Sequence, residues 1–109
     1  MSKLQEFVEN TLNIPMIKEG GAVMDGTFAL TPYYIDSLHG DGKAQDVSLW
    51  SSIDLFYRSK KDAIKNSILL YKALQEESCY ACDNPDVSYE KESEYWRTTL
   101  RVQEVIRDE

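Results

Sequence analysis

Between Val47 and Arg58 the chain switches polarity at almost every step. Val47, Leu49, Ile53, Leu55 and Tyr57 alternate with Ser48, Ser52, Asp54 and Arg58, a period of two that an extended strand satisfies by keeping one face dry and the other wet. Trp50 and Phe56 interrupt the wet face, so the outward side is expected to meet another element or another chain. Ser59-Lys60-Lys61-Asp62 follows directly as a helix start. Ile64, Ile68, Tyr71 and Leu74, spaced four, three and three apart, predict the buried stripe of a helix running to about Glu77.

The other elements are placed around this strand and helix. Leu4, Phe7, Val8 and Leu12 share one helical stripe, with Ser2 and Gln5 spaced as a capping box and Asn13 and Pro15 ending the helix. Gly20-Gly21 and Asp25-Gly26 mark turns. From Thr27 the strand formers Phe28, Leu30, Tyr33, Tyr34, Ile35 and Leu38 predict a strand, and Pro32, lacking an N–H, places it at an edge or a bulge. His39-Gly40-Asp41-Gly42-Lys43 reads as a loop. Tyr80-Ala81-Cys82 and Val87-Ser88-Tyr89 flank an Asn84-Pro85 turn, and Trp96, Thr98, Leu100, Val102 and Ile106 alternate with Tyr95, Arg97, Thr99, Arg101 and Gln103 as a long closing strand. The expectation is an α+β fold: a single mixed or antiparallel β-sheet packed with two helices in the order α-β-β-α-β-β. At 109 residues the chain has room for one domain, 1–109, and one core.

Charge is unevenly distributed. Nineteen acidic residues against twelve basic ones give a formal net charge of −7, which disfavours unaided binding to nucleic acid or an anionic membrane. Most of the excess lies in one stretch, where Glu76, Glu77, Asp83, Asp86, Glu90, Glu92 and Glu94 face only Lys91. Just before it, Arg58, Lys60, Lys61, Lys65 and Lys72 stand against Asp62 alone. Opposite charges on two surfaces of one subunit would set order and register in a head-to-tail assembly; the plainer alternative is solvated surface with intramolecular pairing of little energetic worth. The longest apolar run, Ile68-Leu69-Leu70-Tyr71, is far short of a membrane span, and no apolar stretch precedes a cleavage site, so a soluble protein made and kept in the cytoplasm is expected.

Side chains that could carry chemistry are few. Cys79 and Cys82 have redox-pair spacing, but a helix precedes them where the motif needs a following helix N-terminus, and Glu76, Glu77 and Asp83 would raise a thiol pKa. Structural thiols are expected. Asp36, His39, Asp41 and Asp46 surround one loop in a spacing that matches neither a calcium loop nor a zinc helix. With one histidine, no strained serine elbow and no glycine-rich phosphate cradle, the usual parts for acyl and phosphoryl transfer are missing. The reading is a non-enzyme with no cofactor and no metal. Tyr33, Tyr34 and Tyr95 lack the basic neighbours of a base-stacking platform and are assigned to packing or interface contact.

The order and texture of these elements resemble the tail terminator proteins of long-tailed bacteriophages, also called tail completion, head-to-tail joining or minor capsid proteins. The resemblance rests on Leu4-Gln5-Glu6-Phe7-Val8 through Leu12-Asn13-Ile14-Pro15, on Pro32-Tyr33-Tyr34-Ile35-Asp36 entering a Gly-Asp-Gly loop, on Leu49 to Arg58 running into Lys60-Lys61-Asp62-Ala63-Ile64, and on Tyr95-Trp96-Arg97-Thr98-Thr99-Leu100-Arg101-Val102. It spans almost the whole chain and contains no short diagnostic motif.

The resemblance implies a structural virion assembly protein, a subunit of a homohexameric ring at the head-proximal end of the tail. Assembled in the host cytoplasm, the ring would stop growth of the tube built by the major tail tube protein and present a face to a head completion or connector protein. DNA would meet it only in passage through the lumen, whose wall the acidic band Glu76, Glu77, Asp83, Asp86, Glu90, Glu92 and Glu94 would suit, since like charge keeps phosphates from adhering. By order, the loop with His39, Gly40, Asp41 and Gly42 would contact the tube. Trp50, Phe56 and Arg58 are the expected intersubunit or partner contacts, and Arg97 and Arg101 the expected partners of the acidic band. The competing reading is a small acidic phage-encoded regulatory or inhibitor protein that covers a basic surface on a host target.

Overall fold

The structure is a computed structural model that describes residues 3–18, 21–35, 47–77 and 80–106. In chain order its elements are helix α1 (Lys3–Leu12), strands β1 (Thr27–Ile35) and β2 (Val47–Tyr57), helix α2 (Lys60–Glu76), and strands β3 (Tyr80–Cys82), β4 (Asp86–Glu90) and β5 (Tyr95–Ile106). The expected loop residues His39, Gly40, Asp41 and Gly42 lie outside the described residues, as do Ser2, Leu38 and Cys79.

All five strands form one antiparallel sheet in the order β1-β2-β5-β3, with β4 also on β5. The α+β class and the single sheet agree with the sequence reading. The element order differs in its last part, where three strands rather than two follow α2. Asn84-Pro85 separates two short strands that pair with different stretches of β5: β3 lies opposite Val102–Glu104 and β4 opposite Tyr95–Thr99. Together they make one interrupted edge, and β1 makes the other.

Pro32 sits where an edge strand tolerates it. At Phe28 the backbone N–H donates to the Pro15 carbonyl at 3.2 Å and the carbonyl accepts from Ile17 N–H at 2.7 Å, so this residue's polar backbone groups point away from β2. By strand alternation Leu30 and Pro32 point the same way, and the missing proline donor costs no bond in the β1–β2 ladder.

The uninterrupted β2–β5 register decides which side chains are buried. Ile53 lies opposite Leu100, Leu55 opposite Thr98 and Tyr57 opposite Trp96. These residues, with Phe28 of β1 and Val102, face both helices. From α1 come Leu4, Val8 and Leu12, the predicted stripe, with Phe7 partly buried against the Tyr80 ring at 5.8 Å. Asn13 ends this helix with a left-handed backbone, φ 56°, and its N–H donates to Glu9 O at 2.8 Å.

Helix α2 starts as predicted, with the Ser59 hydroxyl accepting from Asp62 N–H at 3.4 Å. Its buried stripe, however, is Ala63, Ser67, Leu70 and Leu74, whereas Ile64 and Ile68 are exposed and Tyr71 is half-buried. The correction has a steric reason. Ala63 and Ser67 bring the helix axis close to the sheet, and the Ser67 hydroxyl is satisfied by donating to Ile64 O at 2.8 Å. Leu70 and Leu74 then supply the main apolar burial, roughly 1.5–3 kcal/mol each. Both helices therefore cover one side of the sheet.

The buried Tyr57 hydroxyl has no hydrogen-bond partner among the described residues. Burial, with Asp62 and Asp25 nearby, pushes its pKa from 10 up to about 12. Because the folded value is raised, the neutral phenol's contribution is intact below pH 10 and is lost as pH rises through about 12. Tyr57→Phe is expected to fold normally at neutral pH and to lose less stability than the wild type in alkaline conditions, as read by chemical denaturation across that range. Parallel alkaline losses in the two proteins would contradict this assignment.

Candidate interaction surfaces

The side of the sheet away from the helices is open among the described residues. Alternation along β2 and β5 brings Trp50, Ser52, Asp54 and Phe56 to this face together with Arg97, Thr99, Arg101 and Gln103. Phe56 lies opposite Arg97, Ser52 opposite Arg101 and Trp50 opposite Gln103. The register thus gathers four of the five residues expected to make partner contacts, Trp50, Phe56, Arg97 and Arg101. Both aromatic residues are half-buried.

Arg58 extends the same face beyond the end of β2. Its guanidinium sits 5.1 Å from the centroid of the Tyr95 ring and donates to the Tyr95 hydroxyl at 3.4 Å, which in turn donates to Val23 O at 3.3 Å. Its backbone N–H donates to Asp25 Oδ1 at 3.0 Å, tying the Asp25-Gly26 turn to the β2–α2 junction. Arg58 therefore holds local structure while its exposed side chain remains on the surface.

At the centre of the open face is Asp54, only 7% exposed. One oxygen, Oδ1, accepts from Arg97 Nε at 3.1 Å and from the Thr99 hydroxyl at 2.8 Å. Arg97 also approaches Glu90 at 3.7 Å. Its pKa is raised, first by the hydrogen bond to Asp54 and with the charges of Asp54 and Glu90 contributing. Of the expected pairings with the acidic band, Arg97 makes one, to Glu90. Arg101 makes no ion pair among the described residues. It lines a shallow cavity of about 450 Å³ together with Asp83, Asn84, Asp86 and Thr99.

The acidic band follows the β3–β4 edge. Glu76 and Glu77 end α2 immediately before β3, Asp83 follows β3, Asp86 and Glu90 bound β4, and Glu92 and Glu94 lie in the turn to β5. Glu90 is half-buried and the other six are exposed. Charge along an edge strand discourages pairing with another sheet. Cys82, between these residues, is half-buried; burial first and Asp83 second push its thiol up to about 11, away from the reactive thiolate. Among the described residues, no group of three or more His, Cys, Asp or Glu side chains is arranged to hold a metal ion, and no helix is long and apolar enough to cross a membrane.

Sequence reading missed two features of these surfaces. Asp54 looked like one more wet-face residue, and only the β2–β5 register places it beside Arg97 and Thr99. The outer side of α2 carries Ile64, Ile68 and Leu69 at 39%, 46% and 48% exposure, a patch hidden by assigning two of them to the core. Compared with protein-family models, curated proteins and solved structures, the chain matches none.

Asp54→Ala strips Arg97 and Thr99 of a shared acceptor and is expected to cost about 1.5–3 kcal/mol, the range for hydrogen bonds to charged groups. Asp54→Asn keeps an acceptor and is expected to cost less. Equilibrium denaturation at neutral pH measures both, and a wild-type midpoint for Asp54→Ala would contradict the assignment.

Proposed function

We propose that this chain is a structural subunit of the tail-terminator type, forming a ring at the head-proximal end of a phage tail. The observation that carries the reading is the open sheet face. Both helices pack on the other side, leaving Trp50, Phe56, Arg58, Arg97 and Arg101 together on a surface whose aromatic and arginine content is that of an interface centre. The order helix, two strands, helix, closing strands, on which the resemblance rests, supports the same reading.

On this proposal the ring offers one face to the tube built by the major tail tube protein and another to a head completion or connector protein. Tube growth stops because the outer face does not reproduce the surface that the next tube layer needs. The open sheet face serves one of these contacts, and the loop with His39, Gly40, Asp41 and Gly42 reaches the tube. Residues of the acidic band that subunit contacts leave uncovered would face the lumen, repel DNA phosphates and let the genome pass. The role needs binding surfaces only, without catalysis or a cofactor, and places the protein in the virion.

Native mass spectrometry of the purified protein over a range of concentration and salt tests this directly. A species of six subunits, a sixfold multiple of 12.6 kDa, is expected. A stable dimer under every condition would overturn the ring and favour the acidic regulatory protein, whose exposed Asp83, Asp86, Glu92 and Glu94 would cover a basic target.

A further inference from the structure

Helix α2 presents a second surface that the open sheet face does not use. Ala63, Ser67, Leu70 and Leu74 face the sheet, so at 100° per residue Lys61, Lys65, Ile68, Leu69 and Lys72 point away from it, with Ile64 at the margin. The exposed side of this helix is apolar and carries three lysines, with Glu76 one turn beyond Lys72.

Carboxylates that would neutralise these lysines lie along the β3–β4 edge and, as Glu76, on α2 itself, yet none is ion-paired to them among the described residues. The ion pairs among the described residues are Arg97–Asp54 and Arg97–Glu90, neither of which involves α2. Lys60, at the start of the helix, is instead 5.3 Å from the centroid of the Trp96 ring. No ion pair therefore joins the α2 lysines to the edge carboxylates among the described residues.

We propose that the outer face of α2 docks on the β3–β4 edge of a second copy of this chain, with Lys61, Lys65 and Lys72 directed toward Asp83, Asp86 and Glu90. The apolar part of the contact is supplied by Ile68 and Leu69 on one side and by Tyr89 on the other, itself 46% exposed. Symmetry supports this occupant. A two-fold contact of α2 with α2 sets lysine against lysine, and one of edge with edge sets carboxylate against carboxylate. Contact of α2 with the edge is the attractive combination, and in a head-to-tail arrangement it repeats from subunit to subunit. A helix laid along the edge also covers unpaired strand backbone. This inference deepens the ring reading and rests on it, naming the two surfaces through which neighbouring subunits join.

Charge reversal with exchange of partners tests the docking. One variant carries Lys61→Glu and Lys65→Glu, the other Asp83→Lys and Asp86→Lys; all four positions are exposed, and circular dichroism melts check that both variants fold. Each variant alone is expected to self-associate at least about tenfold more weakly than the wild type at low salt. Mixed in equal amounts they regain assembly, because the acidic helix of the first meets the basic edge of the second, and the basic helix of the second meets the acidic edge of the first. Sedimentation velocity reads the size and native mass spectrometry the composition. Wild-type assembly by either variant alone, failure of the mixture to reassemble, or a wild-type protein that stays monomeric at low salt would each overturn the docking. A six-subunit species that no reversal disturbs leaves the ring standing without this contact. Rescue by the mixture in a complex that is not six-membered supports the contact and removes the ring.

Discussion

The β2–β5 ladder is the interaction on which the rest of the structure depends. Its eleven residue pairs, Val47↔Ile106 through Tyr57↔Trp96, run without a bulge. A slip of one residue would turn Ile53, Leu55 and Tyr57 to the other side of the sheet and bring Trp50, Asp54 and Phe56 under the helices. One register therefore fixes the core, the open face and the placement of Asp54 against Arg97 and Thr99. β1 extends the sheet from one side of this pair, and β3 with β4 from the other.

What was legible in the sequence follows from how local each signal is. Alternation in 47–58 and 95–106 encodes two long strands without reference to anything else, and the capping hydroxyl of Ser59 marks the start of α2 from its own neighbourhood. The edge position of β1 was visible in Pro32 because a missing N–H restricts where a strand can pair. The phase of α2 was not legible, since Ala63 and Ser67 carry little hydrophobic weight and are buried for their small size. The division of the chain after Glu77 into two short strands depends on β5 being long enough to pair with both, a property of the partner rather than of the segments.

The candidate surfaces divide in the same way. Trp50 and Phe56 broke a polar face and could be singled out from the strand pattern alone. That Arg97 and Arg101 share their face followed only once the two strands were aligned. The acidic band was plain as a run of carboxylates, but the fold alone turns it into one edge of the sheet. Arg97 illustrates the limit of reasoning from charge runs, because its closest partner, Asp54, lies outside the band and is far from it in sequence.

Together these features give the described residues an apolar core and outward surfaces of different chemistry: a basic and apolar helix face, an acidic edge, and an open sheet face of aromatic and arginine residues. Surfaces that repel their own copies and attract one another produce ordered association from a single chain. Zero-length carbodiimide cross-linking of a mixture of unlabelled and nitrogen-isotope-labelled protein measures this most directly, because peptide masses separate links within a chain from links between chains. The account predicts mixed-isotope links joining Lys61, Lys65 or Lys72 to Asp83, Asp86 or Glu90. Links confined to single chains, or mixed-isotope links that bypass the β3–β4 edge, would contradict it.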